Sequence, residues 1–289
     1  AEAIGLATAS EVPVLVIDVM RGGPSTGIPT KSEQSDLNIA VYGLHGDAPH
    51  VVVAPLSIAD CLFTTQWAVH LAEAMQVPTI VLSDQFIGQA KAVIDRPAEI
   101  AFLSRRERAE EIESDYQRYA VTASGVSPMA IPGTPGGQYT ADGLEHTPRG
   151  APSTRAEDHI AQLDKRQRKL DDFDFGGNWA QIDGEGALAV LTWGSSTAAA
   201  REAVEMARRN GKDVKLIALR LIAPAQPEAM QAALEGVEKV LVVEQTHSGQ
   251  FMSFLRAHYD LPGEVRSFRH PGPLNIRPSE ILSRIEEWS

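Results

Sequence analysis

A chain of 289 residues, 43% apolar and 22% charged, has the length and balance of two globular domains with real cores. Its net charge of −12 argues against a nucleic-acid backbone or an anionic membrane surface as the main partner. No segment approaches the run of about 18 apolar residues needed to cross a bilayer, and the single cysteine, Cys61, excludes an internal disulfide and an iron–sulfur cluster held by this chain alone.

The opening Ala1-Glu-Ala-Ile-Gly5 has no basic stretch and no cleavage pattern, lacks Met and reads as the middle of a helix. It is expected to follow an upstream segment, and a cytoplasmic location is the default expectation. Val12-Pro-Val-Leu-Val-Ile-Asp18 is a continuous β-branched run, which predicts a strand covered on both faces. His50-Val-Val-Val-Ala54 and Pro78-Thr-Ile-Val-Leu-Ser83 repeat the type. Between them, Leu62, Trp67, Val69, Leu71 and Met75 recur at helical spacing, with Ser57 as N-cap and Asp60 in the first turn. Cys61 falls inside this pattern and reads as a packed core residue. Strand–helix–strand units of this length predict a mainly parallel sheet.

The chain changes character in the middle. Gly125 to Pro152 is rich in Gly, Pro, Thr and Ser, and predicts an irregular excursion. Arg155 to Phe175 predicts a charged helix, whose cluster Gln162, Lys165, Arg166, Arg168 and Lys169 reads as a solvated face. Leu188–Trp193, Val214–Leu219 and Lys239–Glu244 then read as strands, alternating with helices over Ala198–Asn210, Pro227–Leu234 and Gly249–Tyr259. Gly211 is placed to end the first of these helices. The expected division is therefore 1–125, a linking excursion over 126–186, and 187–289, with two doubly wound, mainly parallel α/β domains.

Ligands of open α/β sheets bind beyond the carboxyl ends of the strands. The loop Arg21-Gly-Gly-Pro-Ser-Thr-Gly-Ile-Pro-Thr-Lys-Ser-Glu-Gln-Ser-Asp36 begins in that zone. Its glycines permit close approach and its prolines stiffen the turn. Thr30-Lys-Ser-Glu33 fits a capping box and predicts a helix start at Thr30. A guanidinium beside a helix N-terminus favours an anion, and arginine suits a carboxylate through paired hydrogen bonds. The other reading is an Arg21 that salt-bridges Asp36 or Glu33 to hold the turn, and the residues alone leave both open. Weaker candidates lie nearby. His45 reads either as a contact to an anion or as a loop histidine bonded to backbone, and Ser25 and Lys31 either face a ligand or face solvent. Gly194-Ser-Ser-Thr197 is a generic helix start without the lysine of a phosphate loop, and His247 reads as structural. No nucleophile elbow or paired-histidine metal spacing occurs.

The string Asp18 to Asp36, with Val41-Tyr-Gly-Leu-His-Gly46, closely resembles the pyrimidine-binding domain of 2-oxoacid:ferredoxin oxidoreductase α subunits. Glu2-Ala-Ile-Gly5, Gln138-Tyr-Thr-Ala-Asp-Gly-Leu-Glu-His146, Lys165-Arg166 with Arg168-Lys-Leu170, and Val243-Glu-Gln-Thr-His-Ser-Gly249 extend the likeness over nearly the whole chain. The resemblance implies a thiamine-diphosphate pyrimidine-type domain followed by a transketolase C-terminal-like domain. It implies thiamine diphosphate at the interface with a β subunit that carries Mg2+ and a 4Fe–4S cluster. It also implies coenzyme A as co-substrate, ferredoxin as electron acceptor and an (αβ)2 assembly. By the same resemblance Arg21 binds the 1-carboxylate of the 2-oxoacid, Thr30 orients Arg21, and His45 and Ser25 are substrate-binding candidates. The family's Tyr-Pro-Ile-Thr-Pro motif and its cofactor-activating Glu have no counterpart here, so this chain alone is expected to be catalytically incompetent. The variants around Tyr139 and Tyr42 look more like those of 2-oxoglutarate enzymes than of pyruvate enzymes. The alternatives are a pyruvate or branched-chain 2-oxoacid enzyme, or a non-catalytic scaffold or coenzyme-A-binding module.

Overall fold

The computed structural model describes residues 1–97, 102, 106–112 and 115–288. Strands β1 (Val14–Met20), β2 (Val51–Val53) and β3 (Pro78–Asp84) lie parallel in the order β1-β3-β2, with helices α1 (Glu2–Ala9), α2 (Leu37–Tyr42), α3 (Asp60–Met75) and α4 (Gln85–Gln89) around them. A short parallel pair, β4 (Arg108–Ala109) with β5 (Met129–Ala130), follows, and then helix α5 (Ala156–Asp171). The second sheet is built from β6 (Ala180–Asp183), β7 (Leu188–Trp193), β8 (Val214–Leu219), β10 (Lys239–Glu244) and β11 (Glu264–Arg269), in the order β11-β10-β7-β8-β6. Only β6 runs antiparallel to its neighbour. Helices α6 (Ser196–Arg209), α7 (Pro227–Ala233), α8 (Gln250–His258) and α9 (Pro278–Glu286) complete it.

The two units share structure. Strand β9 (Leu221–Ala223) follows β8 in the chain but pairs antiparallel with β2 and so closes the first sheet. One apolar core runs continuously from Met20, Val52, Trp67 and Leu71 to Leu191, Trp193, Leu219 and Phe254. A second cluster fills the far face of the second sheet, where α6 and α9 present Val204, Ile281 and Ile285 to Val190 and Leu216. Between the units, Arg220 forms a two-point ion pair with Asp60, at 2.8 and 3.2 Å, with both side chains nearly buried. The same Asp60 accepts from Leu56 N–H and Thr64 Oγ1, while Ser57 Oγ accepts from Asp60 N–H at 3.0 Å. Ser57 thus braces the turn that leads into α3, whose N-cap is Ala59 rather than the expected Ser57.

Four further expectations are corrected. β1 is not covered on both faces: Ile17 and Val19 are 56% and 49% exposed, because β1 is the outer strand of its sheet. The buried stripe of α3 runs through Thr64, Trp67, Ala68, Leu71, Ala72 and Met75, whereas Leu62 and Val69 are exposed. Two alanines and a threonine carry little hydropathy, so this face is understated by its composition. Cys61 is half-buried rather than in the core, its Sγ donating to Ser57 O. Burial, with Asp60 and Asp84 nearby, raises its thiol pKa.

The fourth correction concerns α5. Its basic face is not solvated: Gln162, Lys165, Arg166 and Lys169 are all buried. Lys165 and Lys169 converge on the two carboxylate oxygens of Glu11, which is itself 0% exposed. Arg118, also buried, donates to the Glu11 carbonyl at 2.7 Å, and Arg166 forks onto Glu145. Burial pushes Glu11 up, but the two ammonium groups outweigh it and hold the carboxyl down at about 2. Burial pulls Lys165 down to about 7 against the attraction of Glu11. The charged helix is therefore bolted to the end of α1 and to the excursion by internal ion pairs.

Candidate active site

Arg21 is the first residue beyond β1, at the carboxyl end of the first sheet, where Met20 pairs with Asp84 across to β3. The loop that follows folds back on itself. Ile28 N–H donates to Gly22 O at 2.8 Å, Gly22 N–H to Lys31 O at 2.9 Å, and Lys31 N–H to Ile28 O at 3.1 Å. Gly27 has φ +46°, and a Cβ there would lie 2.1 Å from Gly22 O, so only glycine closes the turn. Arg21 is half-buried, and its Nη1 donates to Gly22 O at 3.2 Å and Thr26 O at 2.5 Å. Among the described residues the rest of its fork has no partner and Arg21 forms no ion pair. The reading in which it salt-bridges Glu33 or Asp36 is not what the structure shows: Glu33 accepts from Gly272 N–H instead.

Half-buried Asp36 lies near the guanidinium, and half-buried Asp18 of β1 lies near Asp36. Burial raises the pKa of Asp36, opposed by the charge of Arg21. Burial, together with Asp36, raises that of Asp18. The end of β1 thus combines one guanidinium, part of whose fork is unused, with two half-buried carboxyls. Asp84 is buried at the N-cap of α4, where its Oδ1 accepts from Ile87 N–H at 3.1 Å. Burial raises its pKa, opposed by the hydrogen bond from Ile87 N–H.

The predicted helix at Thr30 is absent, and α2 begins only at Leu37. Residues 32–34 are not helical because their hydrogen bonds go to the second unit: Gln34 N–H donates to Gln245 O, and Gln245 Nε2 donates to Ser32 O. Local capping preference loses to these tertiary bonds. Thr30 is exposed in the same loop as Arg21 but makes no hydrogen bond to it. Ser25 sits at the exposed tip with φ +54°. His45 is exposed and pairs with Glu2 at 3.2 Å, so it neither joins the Arg21 loop nor bonds to backbone. The Gly194–Thr197 turn is sealed rather than open. Ser196 bonds Thr192 and Trp193 O, and Gln34 fills the space above Gly194. Sequence reasoning missed Gln34, Gln245 and Asp84. Glutamines inside a loop motif carry no periodic or compositional signal, and an aspartate ending a strand reads as a turn residue.

Residues 1–165 match the family described as pyruvate flavodoxin/ferredoxin oxidoreductase, thiamine diphosphate-binding, and residues 187–270 match pyruvate:ferredoxin oxidoreductase core domain II. The chain belongs to this 2-oxoacid:ferredoxin oxidoreductase family, and its first 165 residues carry the thiamine-diphosphate-binding domain. More particularly, it is 36% identical over 263 residues to 2-oxoglutarate oxidoreductase subunit KorA of Mycobacterium tuberculosis, covering 89% of this chain and 40% of that protein. It is 30% identical over 292 residues to 2-oxoglutarate synthase subunit KorA of Methanothermobacter marburgensis, covering 98% of this chain and 76% of the relative. It superposes with a TM-score of 0.91 and 36% identity on the 2-oxoglutarate:ferredoxin oxidoreductase from Magnetococcus marinus solved with 2-oxoglutarate, coenzyme A and succinyl-CoA bound, covering 99% of this chain and 50% of that one. The chain thus spans two-fifths to one-half of the mycobacterial relative and the solved structure.

Proposed function

We propose that this chain forms the α part of a thiamine-diphosphate-dependent 2-oxoglutarate:ferredoxin oxidoreductase, which converts 2-oxoglutarate, coenzyme A and oxidised ferredoxin to succinyl-CoA, carbon dioxide and reduced ferredoxin. The observation that carries it is Arg21: a half-buried guanidinium at the carboxyl end of β1, held by a self-closed loop, with fork nitrogens left over for a carboxylate. When bound, thiamine diphosphate supplies the nucleophilic carbon and the electron sink for decarboxylation. The residues at this edge fit its reacting end. Arg21 offers a cation beside the exposed apolar side chains of Val19 and Ile28. In this reading, which rests on the family likeness, the β subunit holds the diphosphate with its Mg2+ and the 4Fe–4S cluster.

In this reading Arg21 binds and orients the 1-carboxylate, and the loop from Gly22 to Thr30 fixes the angle of approach. Thr30, exposed in that loop, orients Arg21 once substrate is in place. Ser25 and His45 contact the distal end of the substrate, which requires His45 to leave Glu2. The working unit is a cytoplasmic (αβ)2 assembly that passes electrons to ferredoxin. The 2-oxoglutarate assignment is supported by the names of the relatives. The pyruvate in the family's description supports a pyruvate enzyme as the second reading. Arg21→Ala in the complete αβ enzyme tests the site. Substrate KM should rise by roughly 100-fold, in line with loss of a charge-assisted pair, with assembly intact. Unchanged kinetics would leave a scaffold role. Turnover of 2-oxoglutarate against pyruvate decides the substrate, and a pyruvate preference defeats the present choice.

A further inference from the structure

The Arg21 loop is fastened to the second unit through residues 32–35, with Gln34 at the centre. Gln34 is 0% exposed, and every polar group of its amide is used on the carboxyl ends of two strands of the second sheet. Its Nε2 donates to Trp193 O, at the end of β7, at 2.8 Å. Its Oε1 accepts from Gln245 N–H, just beyond β10, at 2.8 Å, and from Ser196 Oγ at 3.4 Å. Its own backbone N–H donates to Gln245 O at 2.9 Å. The contact is reciprocal, since Gln245 Nε2 donates back to Ser32 O at 3.1 Å and to Leu274 O at 3.2 Å. Gly194 makes room for it: a Cβ there would lie 2.7 Å from Gln34 Nε2. A buried amide matched at this many points has one orientation, because any shift leaves a buried polar group unpaired.

The fastening reaches Arg21 through a short chain of bonds. Ser32 adjoins Lys31, Lys31 O accepts from Gly22 N–H, and Gly22 adjoins Arg21. Glu33, between the fastened residues, holds Gly272 N–H at 3.3 Å and packs 3.4 Å from the site of a Gly22 Cβ. Gln34 touches no reacting atom in this arrangement and acts through the loop.

We infer that Gln34, clasped with Gln245, is a positioning residue that sets the angle of the Arg21 carboxylate clamp against the ends of β7 and β10. The clamp therefore works at full strength only while the second unit is docked. The inference rests on the reading of Arg21 as the carboxylate ligand.

The test uses Gln34→Met, which keeps the volume and removes every side-chain hydrogen bond, and Gln245→Met as an independent cut of the same clasp. Both are made in the complete αβ enzyme, beside Arg21→Met. Amide exchange at Gly22 and Lys31, measured without substrate, should quicken about tenfold in both clasp variants while that of β3 stays as in the unaltered enzyme. The KM for the 2-oxoacid should rise roughly tenfold with kcat held within about threefold, and the double variant should be no worse than either single one. Unchanged exchange at Gly22 and Lys31, or a fall in kcat and Tm with KM untouched, overturns the positioning role. A raised KM in Arg21→Met with wild-type values in Gln34→Met overturns it too, but leaves Arg21 as the carboxylate ligand. Wild-type KM in Arg21→Met removes that reading itself.

Discussion

Gly27 shows how far a single residue controls the candidate site. The Arg21 loop closes by apposing Gly22 and Ile28, and Gly27 turns the chain between them at φ +46° with Gly22 O where a Cβ would stand. Gly27→Ala therefore forces the Gly22–Ile28 pair open, at a local cost of about 1–3 kcal/mol. The loop is exposed and outside the apolar core, so the effect belongs to geometry more than to global stability. In the αβ enzyme the 2-oxoacid KM should rise severalfold with a minor drop in Tm. A wild-type KM would show that the carboxylate ligand does not depend on this turn. The residues that matter most here are small or amide-bearing, and none of them carries charge except Arg21.

At the scale of elements, α5 shows the opposite regime. It is held by charge in the interior, where Glu11 balances Lys165 and Lys169. Glu11→Gln would leave two buried ammonium groups without a counter-ion and should cost about 3–5 kcal/mol. Lys165→Met leaves Glu11 paired with Lys169 and should cost less. Urea unfolding of the two variants checks the order, and a reversed order would mean that Lys165 carries the network. The pH dependence follows from Glu11. Its carboxyl is depressed from 4.5 to about 2 in the folded chain. The folded state therefore holds this proton less tightly than the unfolded state, and stability falls as pH drops through the window from 4.5 towards 2. Acid titration of the circular dichroism should be steep there, and Glu11→Gln should flatten it.

At the scale of the whole molecule, the two units are joined by exchange of elements as well as by contact. β9 is donated to the first sheet, and the turn that delivers it carries Arg220 to Asp60. Removing one partner of a buried pair strands the other, so Asp60→Asn should destabilise the chain by about 3–5 kcal/mol. Asp60 also accepts from Leu56 N–H at the entry to α3. Loss of its charge should thus broaden or split the thermal transition as the units uncouple. A single unshifted transition by calorimetry would show that the shared core alone joins them. The clasp at Gln34 and the ion pair at Asp60 fasten the same two units at different places, which is why the clamp loop and the sheet topology are linked.

Much of this was legible in the chain itself. β3, β7, β8 and β10 fall where their β-branched runs predict, and α6 and α7 where their apolar spacing does, because buried parallel strands and amphipathic helices leave a local imprint. Gly211, at φ +81° just past α6, does too. The sequence also placed Arg21 at a strand end on a braced loop and carried the family likeness. Tertiary structure decided the rest. A lysine-rich helix face reads as solvated until Glu11 is seen to face it from a distant position in the chain. Thr30 reads as a helix cap until Gln245 takes the backbone that a helix would need. Ion pairs and hydrogen bonds between distant residues leave no periodic trace, and here they fix both the buried helix and the aim of Arg21.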